Sequence, residues 1–160
     1  MKTQICKRTV AVAITCLTLG AAALAQGGTC TNASLRGKYG QSISGELLPA
    51  PGVVAPQNGV AMTTFDGNGR FTQEDFIVIN GAPVAPGFQS ETGTYSINSD
   101  CTGTATINYS NGAYITLQLV VVNQGHEFRT VVSQLTMTGG GPLVPVNIGS
   151  NGVRVDTPTP

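Results

Sequence analysis

The sequence predicts an all-β protein: an antiparallel up-and-down meander that closes into a small eight-stranded barrel, with a two-sheet β-sandwich as the alternative. Three observations carry this expectation. Beyond residue 25 no segment keeps its apolar residues at helical spacing over three turns, whereas runs of period-2 alternation are common. The composition is rich in Gly, Thr, Ser, Asn and Val and poor in Lys and Glu, which suits strands and turns rather than helices. Short clusters of Gly, Asn, Asp and Pro separate the alternating runs, and these are the residues that tight turns select.

The first 25 residues stand apart. Lys2, Lys7 and Arg8 form a positive start, Thr9 to Ala25 carries no charge, and Ala23-Leu24-Ala25 has the small-x-small pattern of a leader cleavage site. A signal peptide over 1–25 is expected, cut before Gln26. The apolar run is shorter than the roughly 20 residues a membrane helix needs. Neither Cys16 nor Cys30 is preceded by the small-residue pattern of a lipid-modified cysteine. One domain is expected over 26–156, with a frayed tail over 157–160.

A first strand is expected from Leu35 to about Gly45. "ELLPAPGVVAPQNG", with three prolines, reads as a long loop or irregular edge. Val60 to Phe65 and Arg70 to Ile79 flank "DGNG", a hairpin signal because Asp-Gly and Asn-Gly accept positive φ at little cost. "NGAPVAPGFQS" reads as a second loop before Gly93 to Ile97. The turn "NSDCTG" leads to Thr104–Tyr109, and Ser110-Asn111-Gly112 leads to the longest strand, Ala113 to Val122. "NQGHE" turns the chain into Phe128–Ser133, which Gln134 to Thr138 extends or breaks. After "GGGP", Val144 to Ile148 and Gly152 to Val155 supply one or two closing strands. Closure into a barrel removes the exposed edge that "ITLQLVVV" would otherwise present.

"RGKYG" and "TGTYS" both place glycine two residues before tyrosine at a strand start. Together with "FDGNGRFT", "TGTYSINSDCTGTATINY" and "NQGHEFRTVV", these motifs resemble a group of exported bacterial proteins of unknown function. The resemblance spans roughly Cys30 to Ser133, and the segment after Met137 departs from the pattern. It implies a small barrel of the calycin or allene-oxide-cyclase-like kind and brings no catalytic residues with it.

Without the leader the chain keeps five basic residues against eight acidic ones, a formal net charge of −3. Nucleic acid and anionic membrane surfaces, which require clustered Lys and Arg, are therefore not expected as partners. No cofactor is called for, and no membrane span remains once the leader is gone. Cys30 and Cys101 are the two remaining cysteines, and one disulfide is the expectation in an exported chain. Their separation suits a structural staple better than a redox pair, whose cysteines sit close in sequence.

Asp66 and Asn68 resemble half of a calcium loop, but Ile77 stands where the bidentate glutamate belongs, so the stretch reads as a turn. His126 is the only histidine and stands in a turn, which supports neither a catalytic triad nor a three-ligand metal site. Glu127 and Arg129 alternate on one face of a strand whose other face carries Phe128, Thr130 and Val132. Facing out, they form a solvated ion pair; facing in, they form a buried cluster and become the candidate catalytic residues. Gln73 and Asp75, on one face of another strand, and Gln118, on a third, are the candidate ligand-binding residues. The leading expectation is a binder of a small apolar or amphipathic molecule, since eight strands leave room for one. A cyclase- or isomerase-like enzyme acting inside the barrel, and a structural or surface-interaction module with a filled core, are the alternatives.

Overall fold

The computed structural model describes residues 29–137 and 141–155; the leader expected over 1–25 and the tail over 157–160 lie outside the described residues. Nine strands follow one another: β1 (Arg36–Ala50), β2 (Val53–Asp66), β3 (Arg70–Ile79), β4 (Ala82–Pro83), β5 (Gln89–Ile97), β6 (Thr102–Asn108), β7 (Tyr114–Val122), β8 (Glu127–Thr136) and β9 (Val146–Arg154). All pairings are antiparallel. β1 pairs with both β2 and β9, β2 also pairs with β3, and β3 passes to β5. From β5 each strand pairs with the next as far as β9, so eight strands form a closed ring and β4 is a short addition to the end of β3. The sandwich alternative is excluded.

The meander is as expected, but the stretch expected as a loop over 46–59 is a hairpin. β1 runs on to Ala50 and turns through Pro51-Gly52, with Ala50 opposite Val53. Gly52 has φ +76°, so Pro and Gly occupy the positions that a type II turn assigns them. Pro56 directs its carbonyl towards Asn80 N, just past the last β2–β3 pair, Gln57–Ile79. Its missing N–H falls on that same side, where no ladder bond is lost. Of the one or two closing strands expected, the structure has one, β9, and β8 reaches Thr136 by way of a bulge between Thr116/Leu117 and their partners.

Alternation fills one end of the barrel with rings. Tyr39, Phe65, Phe71, Tyr95 and Phe128 are all buried there with Leu35, Leu119 and Val121. Phe65 meets Tyr39, Tyr95 and Phe128 edge-on at centroid distances of 5.4, 5.0 and 5.5 Å. Such contacts add about 0.5–1.5 kcal/mol per pair beyond the area they bury. The rings fit because glycines stand opposite them: Phe71 pairs with Gly93 and Phe128 with Gly152. A Cβ at Gly93 or Gly152 would overlap the facing ring. This gives the second Gly-x-Tyr echo a physical cause: Gly93 yields its space to Phe71, and Tyr95 fills the next inward position.

The N-terminal segment seals this end. A short 3-10 turn, Asn32–Ser34, lies across it, with Asn32 Oδ1 accepting from Ile97 N at 2.8 Å. Tyr95 OH lies 2.9 Å from Leu35 O and 3.0 Å from Asn32 O. Cys30 and Cys101 form the expected disulfide, with Cα atoms 5.0 Å apart. Tyr39, fully buried, donates to Gly125 O at 2.5 Å and accepts from Arg154 Nη2 at 2.8 Å.

Candidate functional site

At the opposite end the barrel is open. The tight turns 67–69, 98–101 and 123–126 all belong to the plugged end, whereas the longer connection 80–88 and, between β8 and β9, residues 137 and 141–145 lie at the open one. Between them the interior holds a cavity of about 350 Å³. Its outer walls are aliphatic: Ile43, Leu47 and Ile79 on one side, and Ile115, Val132 and Leu135 on the other. Exposed Val84, Met137 and Leu143 belong to the connections around the mouth.

The floor is polar and hydrogen-bonded from strand to strand. Thr130 of β8 and Ser150 of β9 share a hydrogen bond at 2.8 Å, and Ser150 Oγ donates to Gln41 Oε1 at 3.0 Å. Gln41 Nε2 donates to Thr63 Oγ1 and, at 3.3 Å, to Gln73 Oε1. Thr63 Oγ1 donates to the same oxygen at 2.9 Å, and Gln73 Nε2 donates to Asp75 Oδ2 at 3.2 Å. One hydrogen-bonded chain thus runs across five strands. It satisfies groups that would otherwise cost about 1–3 kcal/mol each when buried.

The chain stops short of Glu91. This residue lies directly across from Gln73 in the β3–β5 ladder and is 5% exposed, yet its Oε2 has no hydrogen-bond partner. Burial, and secondarily the nearby Asp75 charge, push its carboxyl up to about 8. Burial likewise raises Asp75, an effect that the Gln73 hydrogen bond opposes. Tyr109, just beyond β6, faces both carboxyls; burial first, then their charges, hold its phenol well above the usual range. No Lys, Arg or His lines the cavity among the described residues.

Two of the expected ligand-binding residues, Gln73 and Asp75, are therefore inside the barrel and on the cavity wall. Gln118 is exposed on the outer face. Glu127 and Arg129 also point outward, because Phe128 between them takes the inward position at 2% exposure. They meet as an ion pair of 2.8 Å in solvent, so the inward catalytic pair considered from the sequence is not formed. The structure brings Glu91 and Tyr109 to the site instead. Counting back by twos from Tyr95 and Gly93 reaches Glu91, and that was the available signal; starting the strand at Gly93 hid it. Among the described residues no group of three or more His, Cys, Asp or Glu is placed to hold a metal.

No family model matches the chain, and no curated protein matches it. Among solved structures, the S-type phycobiliprotein lyase CPES from Guillardia theta is similar over 79% of this chain and 91% of its own, with a TM-score of 0.50 at 11% identity. At that identity the likeness is one of fold. It agrees with the small barrel that the sequence resemblance implied.

Proposed function

We propose that this protein binds one small amphipathic molecule inside the open half of its barrel. The observation that carries the reading is the uneven filling of the interior. One end is plugged by five aromatic rings, while the other keeps a cavity of about 350 Å³ with aliphatic walls and a polar floor. A filled-core module has no use for that space, and ligand sites are of this size and character, at roughly 300–1,000 Å³. Gln73, Asp75, Glu91 and Tyr109 are the residues we assign to the ligand's polar end. The similar solved structure is a phycobiliprotein lyase, and that likeness of fold is compatible with ligand binding in this barrel. For the enzyme alternative, the polar pair named from the sequence, Glu127 and Arg129, faces solvent instead of the cavity.

Export is part of the same proposal. The disulfide supports an oxidising compartment, and no described helix is long and apolar enough to cross a membrane. The exported protein should begin at Gln26, which intact-mass analysis of protein from its own host checks.

Val132 faces the cavity and Val131 faces solvent on the same strand. Val132→Phe should fill the space and weaken uptake of an apolar fluorescent probe, N-phenyl-naphthylamine, about tenfold or more, whereas Val131→Phe should leave it within about twofold. Equal binding by both variants would sink the proposal.

A further inference from the structure

The cavity's polar floor also specifies the sign of its ligand. Resting on the binding proposal above, we infer that the ligand is a cationic amphiphile, an organic amine whose ammonium group sits between Asp75 and Glu91 while its apolar body lies along Ile115, Val132 and Leu135. The inference stands on three placements. Asp75 and Glu91 are each 95% buried or more and lie on adjacent strands, diagonally across the β3–β5 ladder. Glu91 Oε2 is unpartnered, the one buried side-chain polar atom in that position among the described residues, whereas Gln41, Thr63, Gln73, Thr130 and Ser150 beside it are joined in the hydrogen-bonded chain. No basic side chain lines the cavity among the described residues, so none of these residues neutralises the two acids there.

A buried acceptor left open costs free energy, and two neighbouring carboxyls in a low-dielectric wall repel each other when both ionise. An ammonium group removes both penalties at once, since its three N–H donors can reach carboxylate oxygens in charge-assisted bonds. An anionic head group would bring a third like charge to the same floor. A neutral hydroxyl would answer the open acceptor but leave the repulsion in place.

The groups facing Glu91 from its neighbours are Asp75 on β3 and Tyr109 beyond β6, and no other titratable side chain lines the cavity. This fixes the sign of the pH dependence. Without ligand the Glu91 carboxyl holds its proton up to about pH 8. Ammonium binding ionises it, so a proton is released and affinity rises as pH is raised. A neutral ligand that accepts a hydrogen bond from protonated Glu91 would show the opposite slope.

The test uses octylamine, octanol and octanoate as probes on the mature, disulfide-bonded protein, by titration calorimetry in two buffers of different ionisation enthalpy. Octylamine should bind at least about tenfold tighter than octanol at pH 8, octanoate weakest, and the amine affinity should rise at least about tenfold from pH 5 to 8 with proton release. Glu91→Gln should weaken octylamine about tenfold, abolish the proton release and leave octanol within about twofold. Octanol binding as tightly as octylamine, or an amine affinity that falls with rising pH, would overturn the inference while leaving cavity binding intact. If no probe binds the folded protein, the binding proposal itself fails, and this inference fails with it.

Discussion

Glu91 couples the site to stability because its carboxyl titrates differently in the folded and unfolded chain. Folding raises it from about 4.5 to about 8, so over that window the folded state keeps a proton that the unfolded state has lost. Stability attributable to this group is present below about pH 4.5 and is lost as pH rises to about 8. The side chain lines a cavity open to solvent, so Glu91→Gln should gain only on the order of 1–2 kcal/mol above pH 8 and nothing near pH 4. Urea denaturation across pH reads this directly, and parallel curves for the two proteins would refute it. Gly93 makes a second residue-scale case. Gly93→Val would drive methyl groups into the Phe71 ring and the Thr106 carbonyl, and should cost about 2–4 kcal/mol in the same assay. A loss under about 0.5 kcal/mol would mean that the ring can move aside. Side-chain alternation in the sequence already placed Gln73 with Asp75, and Glu127 with Arg129, on common faces. Which face looked inward was not legible, because it depends on which face the rings of Tyr39, Phe65 and Phe128 occupy, and that is settled across strands.

At the scale of elements, the strands that alternate cleanly were readable. Arg70–Ile79 is β3 to the residue, and "DGNG" is its turn, with Asp66 Oδ1 accepting from Asn68 N at 2.7 Å. The proline-bearing hairpin of β1 and β2 was not readable as strand. Pro56 escapes the usual penalty only because β2 outruns β3 there, a fact of register that no local pattern carries. The N-terminal segment before β1 is held by its own small set of contacts, of which the disulfide is the strongest. Linking residues 71 apart should stabilise the fold by roughly 4 kcal/mol on chain-entropy grounds. Cys30→Ser with Cys101→Ser should therefore lower the unfolding free energy by about that much while keeping the strand signal in far-ultraviolet circular dichroism. A loss below about 1 kcal/mol would show that the Tyr95 and Asn32 hydrogen bonds hold the segment unaided.

At the scale of the molecule, barrel closure and the division of labour between its ends matter most. β9 pairs with β1 as well as β8, which leaves only the short β4 at an edge among the described strands, the closure expected because "ITLQLVVV" would otherwise present an exposed edge. The division of the interior was not legible in the same way. Tyr39, Phe65, Phe71, Tyr95 and Phe128 lie far apart along the chain, yet the register gathers these five at one end. That gathering is what leaves the other end empty and gives the polar floor something to face.

The most direct measurement is amide NMR of the isotopically labelled mature protein during titration with octylamine. Saturable shift changes should concentrate on Ile43, Ile79, Glu91, Tyr109, Ile115 and Val132, and spare Tyr39, Phe65 and Phe128 at the plugged end. Changes centred on the outer face around Gln118 and Arg129, or none at all, would contradict the account.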